Sequence, residues 1–292
     1  MHKFLRAIGF SDITKKDLEI ILEEITEHPN MMKITKDSDG NEFAELSIEY
    51  AKNMGITLRG TYYEDDSFVV DYYFPYFYGT EISTREIIDI EKHAEKESYA
   101  GVCDDVRIGV TLIFYLQNVA DYLSETSHGF QNTEITGAVL SGLSTEGKIL
   151  LPILQKEKAQ SKVFGNNRKD RSQLIAEARE GNEEAMESLT LDDMDTYSCI
   201  SRRIQNEDIL SIVSSTFMPY GIESDQYSIL GDIIDMAEEK NRLTKEKIYC
   251  LKLRCNDMIF DVCINEKDLM GEPAIGRRFK GNIWMQGSIY LS

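Results

Sequence analysis

Alternation of apolar and polar side chains, with the period of two that a β-strand imposes, is the feature that most restricts how this 292-residue chain can fold. The alternation begins at residues 44–50, and segments rich in β-branched and aromatic residues follow at 55–64 and 68–78. The polar turn 64–67 separates the last two segments. Together they predict an antiparallel meander in the first half of the chain.

A second group of alternating segments fills the C-terminal part. The candidate strands are 227–237, 246–255, 258–264 and 281–291. Glycines that suit the bends of a small closed sheet punctuate them. With the opening strand at Ile229–Ile233, the hairpin Glu246–Ile264 and the closing run Gly281–Gly287, residues 228–292 resemble an OB-fold. This resemblance implies a small β-barrel that binds its ligand on one strand face.

Helical spacing predicts an α-helix over Thr14–His28, with Leu18, Ile21 and Ile25 on its apolar side and Thr14 with Asp17 in a capping-box arrangement. Further along the chain, less regular patterns predict other elements. They are a helix at 84–97, a strand at 106–116, a short helix at 117–123, a hairpin at 134–154 that turns at Thr145–Gly147, and a strand at 209–217.

These elements predict an α+β fold in three parts. Residues 1–157 form an antiparallel-sheet domain with helices, residues 158–199 form a basic linker and a helical pair, and residues 200–292 form the OB-like barrel domain. The boundary is placed where lysines and arginines cluster, in the run from Lys156 to Gln173.

The net charge of −19 opposes non-specific binding to nucleic acid and to anionic membranes. The longest apolar run, near Val110–Leu116, is far shorter than the ~20 residues of a membrane helix. No secretory signal pattern is visible at residues 1–10. These observations predict a cytoplasmic protein without a membrane partner.

Six residues near the C terminus form a candidate binding face: Lys252, Arg254, Arg277, Arg278, Lys280 and Trp284. Alternation places Lys252 and Arg254 on the strand side opposite Leu251 and Leu253. Cations beside an aromatic platform suit a single-stranded nucleic acid. However, residues 200–292 carry 12 basic and 14 acidic side chains, without the basic excess of nucleic-acid-binding domains. The partner therefore stays open between a protein and a single-stranded nucleic acid. In the alternative without a ligand, Trp284 closes the barrel end and the arginines pair with nearby acids.

No catalytic residue can be assigned from the sequence. The motifs GxGxxG, GxxxxGK[ST], GxSxG and HExxH are missing. A nucleophile could be built from Cys103 if His93 or His128 lay beside it. Asp192, Asp193 and Asp195 lack the glycine and the glutamate of a calcium loop, so we interpret them as the start of a helix. The five cysteines form no CxxC pair. We predict no metal and no cofactor.

Three hypotheses of function follow. The first is a non-enzymatic binding or adaptor protein that uses the barrel face or the tyrosine-rich meander. The second is an enzyme with its site at the domain junction, which uses either Cys103 or the acidic clusters. The third is a structural partner in a larger assembly, which an exposed apolar patch would indicate.

Four runs of residues give a further resemblance: His2–Phe10, Ile200–Arg203, Phe217–Gly221, and Gly271–Pro273 with Gly276–Trp284. With these runs the chain resembles an uncharacterised family of hypothetical proteins from anaerobic clostridia, annotated only as a domain of unknown function. The resemblance spans the whole chain and implies a cytoplasmic bacterial protein. It brings no catalytic residues.

Overall fold

The computed structural model of the chain describes residues 1–63, 67–92, 98–127, 134–152, 174, 177–178, 181–191, 194 and 209–291. The chain divides into two compact units. The first unit combines Met1–Leu150 with Thr216–Ser292, and the second is Leu151–Ser215. The predicted division at 157 and 199 differs from this one, because strands from both ends of the chain share the first unit.

The second unit contains a helix at residues 183–191 and a single helical turn at Ile209–Ile212. Most of the predicted basic linker lies outside the described residues. Residues 209–217 were predicted as one strand, and this prediction is wrong, because the turn of helix precedes a short strand that begins only at Thr216.

The first unit is mostly β, with few helices, and most of its strand pairs are antiparallel. One sheet contains the three strands of the predicted meander and a fourth strand that was not predicted, all antiparallel, in the order β1-β2-β3-β4. Its strands are Met31–Lys36 (β1), Glu42–Ala51 (β2), Met54–Tyr62 (β3) and Phe68–Phe77 (β4). Helix α1, Lys15–Glu27, packs on this sheet through Leu18, Ile21 and Ile25, as its spacing predicts. Thr14 and Asp17 form the predicted capping box.

A 3₁₀ helix at Lys3–Ile8 precedes α1 and buries Phe4, Leu5, Ala7 and Ile8. Gly9 ends this helix with a φ of +88°. A Cβ at Gly9 would lie 2.7 Å from the Cβ of Asn241, so only glycine fits this turn without strain.

The larger sheet has ten strands in the order β13-β8-β12-β11-β10-β14-β7-β6-β5, with β9 beside β10. Its strands are Asp89–Lys92 (β5), Tyr99–Asp105 (β6), Val110–Leu116 (β7), Ile135–Leu150 (β8), Thr216–Pro219 (β9), Gln226–Lys240 (β10), Lys247–Cys255 (β11), Met258–Asn265 (β12), Leu269–Met270 (β13) and Arg278–Leu291 (β14). Helix α2, Val119–Ser127, follows β7, and a 3₁₀ turn at Glu266–Asp268 precedes β13.

Strand β8 comes from the first half of the chain and pairs with strands from the C-terminal part. It pairs antiparallel with β14 along almost its whole length and parallel with β12 at residues 141–144. The hairpin predicted at 134–154 is therefore wrong. Thr145–Gly147 does not turn back, because β14 pairs with β8 on both sides of Thr145, with a one-residue register shift between the pairs made by Ser144 and Glu146.

The helix predicted at 84–97 is also wrong for its described part. Ile88 is buried, Asp89 is exposed and Ile90 is half-buried, which is the alternation of a strand, and β5 pairs with β6. The predicted helix after β7 is confirmed by α2.

Inward-facing residues of β10, β11, β12 and β14 form one core cluster with β7 and β8. A second cluster holds α1, the 3₁₀ helix and the α1-facing side of the meander. Among the described residues, no helix combines the length and the apolar content that crossing a bilayer demands.

Candidate functional site

Strand β11 presents two of the predicted site residues. Lys252 is half-buried and Arg254 is exposed. Directly across from Lys252 lie Asp235 of β10 and Asp261 of β12. Residues in such positions share one face of the sheet, so Asp235 and Asp261 lie on the same face as Lys252. The Nζ atom of Lys252 also lies 3.4 Å from Oε2 of Glu81.

The arginines face an acid as well. Asp232 lies between Arg254 of β11 and Arg278 of β14 in the strand register. Arg278 is buried, and this burial lowers the pKa of its guanidinium while the Asp232 carboxylate opposes that effect. The side chain of Arg277 donates a hydrogen bond of 2.6 Å to the backbone oxygen of Glu272. Lys280 is exposed. The structure thus sets Lys252, Arg254 and Arg278 across from aspartates in the strand register, whereas Arg277 bonds to a backbone oxygen.

Trp284 stands on the side of β14 predicted by alternation, opposite Ile283 and Met285, but that side is covered. Its side chain is 6% exposed and stacks on Phe4, with ring centroids 5.4 Å apart. Its Nε1–H donates a 2.7 Å hydrogen bond to Oδ2 of Asp225. The predicted exposed aromatic platform is therefore missing, because the N-terminal 3₁₀ helix occupies the surface over the indole.

A pocket of about 320 Å³ opens beside Lys252 on β10, β11 and β12. The strands contribute Asp235, Met236, Ala237, Glu239, Cys250, Lys252 and Asp261, and Lys52, Asn53, Phe77 and Thr80 complete the lining. We call this the Lys252 pocket. The backbone N–H and the hydroxyl of Thr80 each donate a 2.7 Å hydrogen bond to Oδ2 of Asp261. These bonds hold one wall of the pocket against β12.

Sequence reasoning identified Lys252 but missed the other pocket residues. Strand alternation could have placed Asp235 and Asp261 in the pocket, because both lie on the face of the sheet that Lys252 occupies. No sequence pattern could have placed Thr80 and Lys52 there, since they reach the pocket only through tertiary packing.

The thiols of the first unit are poor nucleophiles. Burial, aided by the Asp105 carboxylate, raises the pKa of Cys103 to about 12. Burial also raises the pKa of Cys250, in the Lys252 pocket, to about 12. A thiol attacks as its thiolate, which is scarce at neutral pH for such values. His93 and His128, the proposed bases for Cys103, lie outside the described residues.

A further charged group, which the sequence did not point out, is buried in the meander. Arg59 of β3 is 0% exposed, and all of its N–H groups find acceptors. Nε donates to Glu45 at 2.8 Å, and the two terminal nitrogens donate to the hydroxyls of Tyr72 and Tyr115 and to the backbone oxygens of residues 116 and 117. Burial opposes the charge, but the surrounding oxygens outweigh it and raise the pKa of Arg59. We call these residues the Arg59 cluster. Because no donor is left for a ligand, the cluster is structural.

Among the described residues, no three His, Cys, Asp or Glu side chains gather in a group that could hold a metal ion. Asp192, Asp193 and Asp195 lie outside that part of the chain.

Comparison with known proteins identifies the family. A family model described as a domain of unknown function from E. rectale, DUF3881, matches residues 5–287. No curated protein and no solved structure matches the chain. The predicted membership in an uncharacterised family is thereby confirmed. The chain belongs to the DUF3881 family, a domain whose function is unknown.

Proposed function

We propose that this protein is a non-enzymatic binding or adaptor protein whose ligand docks in the Lys252 pocket. The supporting observation is the pocket itself, which sits on three paired strands and presents ammonium, carboxylate and hydroxyl groups side by side. Sites on strands hold their groups in fixed positions, which favours recognition. The protonated Cys103 and Cys250 thiols count against the alternative of a cysteine enzyme.

We also propose that the strands around the pocket form an OB-like barrel. In its support, five strands pair in a cycle, β10-β11-β12-β8-β14 and back to β10. Counted from β10, the pocket lies over the first three strands, and these include the second and third strands, on whose face OB-folds bind ligands. One strand of this barrel, β8, precedes residue 200, so a fragment of residues 200–292 would lack it.

Charge favours a protein as the ligand over a single-stranded nucleic acid. The pocket holds two lysines, Lys52 and Lys252, against three carboxylates. Phosphates would meet net negative charge there, and the one tryptophan is not available for stacking. A protein surface, which carries both signs of charge, fits this arrangement.

We place this role in the bacterial cytoplasm, where free thiols like the four described ones persist.

The test captures partners from the cytoplasm of the source bacterium with the tagged full-length chain, with two pocket variants and with one control variant. Lys252→Glu and Asp235→Lys reverse charges in the pocket, and Lys36→Glu, on exposed β1, makes the matched change elsewhere. We expect a protein whose affinity, measured after purification, falls about tenfold in both pocket variants and stays within about twofold in the control. A partner that binds all four proteins equally would contradict the proposal.

A second arm measures the fluorescence anisotropy of a labelled single-stranded oligonucleotide at low salt. We expect no binding. Binding that Lys252→Glu abolishes would assign the pocket to nucleic acid instead.

A further inference from the structure

A second surface of the first unit is a groove of about 430 Å³ between α1 and the connection from β10 to β11. Its apolar lining consists of Phe10, Ile13, Ile20, Ile21 and Leu243. Phe10 and Ile21 are buried and form the floor, whereas Ile20 is 56% and Leu243 54% exposed. Isolated exposed apolar residues are common, but two that face one groove above an apolar floor resemble a binding surface. We call it the α1 groove.

The wall formed by the β10–β11 connection is fixed in place. The side-chain oxygen of Asn241 accepts hydrogen bonds from the backbone N–H groups of Leu243 and Thr244, at 2.9 and 3.0 Å. The Asn241 amide donates to the backbone oxygen of Ile8, and the Thr244 hydroxyl donates to that of Gly9. A ligand therefore meets a preformed groove and does not have to order this connection, which favours affinity.

The rim of the groove is acidic. Asp12, Asp17, Glu24 and Glu246 line it, and no lysine or arginine does. Lys267, outside the lining, bridges Asp12 and Glu246. Asp17 and Glu24 form no salt bridge among the described residues. With Ile20 they make a stripe of acid, apolar residue and acid, since positions 17, 20 and 24 fall on one side of a helix.

We propose that the α1 groove binds a basic amphipathic segment of a partner protein. Apolar side chains on one side of such a segment would cover Ile20 and Leu243, and its lysines or arginines would meet Asp17 and Glu24. This is the helix-in-groove mode of peptide recognition. The acidic rim repels nucleic acid and anionic lipid, so charge selects the class of ligand. The groove shares no lining residue with the Lys252 pocket, so this proposal stands or falls independently of the one above.

The test uses a fluorescent amphipathic peptide of about 14 leucines and lysines, long enough to form a helix, and its counterpart with glutamate in place of lysine. Anisotropy with the full-length chain at physiological salt gives the affinities. We expect the lysine peptide to bind and the glutamate peptide to bind at least about tenfold more weakly. Equal binding of both peptides, or of neither, would overturn the proposal.

Two matched pairs of variants locate the binding. Ile20→Ser removes an exposed side chain in the groove, and Ile87→Ser removes one that is 86% exposed elsewhere. Glu24→Lys reverses a charge on the rim, and Glu23→Lys reverses the exposed neighbouring charge on α1 that does not line the groove. We expect losses of about fivefold to tenfold for Ile20→Ser and Glu24→Lys, and changes within about twofold for the controls. Equal losses in each pair would mean non-specific attraction and would refute the site.

Sedimentation of the full-length chain without peptide adds a separate outcome. We expect no self-association that depends on Ile20. A dimer that Ile20→Ser dissociates would assign the groove to a second copy of the chain and overturn the proposal.

Discussion

The Arg59 cluster and the Lys252 pocket both place a cation and carboxylates in the middle of β-strands, yet they differ in their access to water. The Arg59 side chain is 0% exposed and its Glu45 partner 9%, whereas Lys252 is 22% exposed and Glu81 43%. Removing charges from water costs several kcal/mol, so a buried pair persists only where its remaining hydrogen bonds are also made. The charged groups of the pocket are open to solvent, so water can form their remaining hydrogen bonds. A ligand can then replace that water. The comparison teaches that exposure, and not residue type, separates a structural charge from one that can bind.

The largest effect is expected from Arg59→Met. This change leaves Glu45 buried without its partner and should lower the free energy of unfolding by about 3–5 kcal/mol. Urea unfolding followed by the fluorescence of Trp284, the single tryptophan, measures it. Arg242→Ala, which breaks the exposed pair with Glu49, is the control and should cost at most about 1 kcal/mol. Similar losses for both variants would erase the contrast between buried and exposed charges.

An intermediate effect is expected from Asp261→Ala. Asp261 is buried, but its donor Thr80 is exposed, so water can replace part of the lost bonding. The free energy of unfolding should fall by about 1–2 kcal/mol, which is less than for Arg59→Met. The same urea titration measures the fall, and a loss as large as that of Arg59→Met would place the wall of the pocket among the structural elements.

The smallest effect on stability is expected from Lys252→Gln. Its ion pair with Glu81 is partly exposed to solvent and 3.4 Å long, so the change should stay within about 1 kcal/mol. If the midpoint of urea unfolding instead moved as far as for Asp261→Ala, Lys252 would be a structural residue and the pocket would lose its proposed role.

The thiols test the same comparison through the pH dependence of their reactivity. Because burial raises the pKa of Cys103 and Cys250 to about 12, iodoacetamide should modify both slowly at pH 8. The rate should rise about tenfold per pH unit up to pH 10 as the thiolate fraction grows. Cys250 should react first, since it lines an open pocket. Mass spectrometry of the digested protein follows each site, and rapid alkylation of Cys103 at pH 7 would revive the cysteine-enzyme hypothesis.

Local sequence patterns were sufficient for several elements. Side-chain periodicity and turn residues account for helix α1 with its Thr14–Asp17 capping box, for β2, β3 and β4 of the meander, and for β10, β11, β12 and β14. Each depends on neighbours a few residues away, so the information is local.

The predictions that failed needed distant partners. Glu146 and Gly147 look like a turn, but β14 holds them in an extended strand. The pattern of Ile88 and Ile90 also fits a helix, and only the pairing of this segment with β6 makes it a strand. The carboxylates around Lys252 were within reach of strand alternation, whereas Thr80 comes from a segment 181 residues before its hydrogen-bond partner Asp261.

The sequence by itself determined which side of each strand a residue occupies, because alternation is a property of the extended backbone. It placed Trp284 opposite Ile283 and Met285, and Lys252 opposite Leu251 and Leu253. Only the tertiary structure decided which of those sides meets water. Phe4 covers the indole, while Lys252 keeps an open pocket, and this difference arises from packing between segments more than 150 residues apart, which no local pattern encodes.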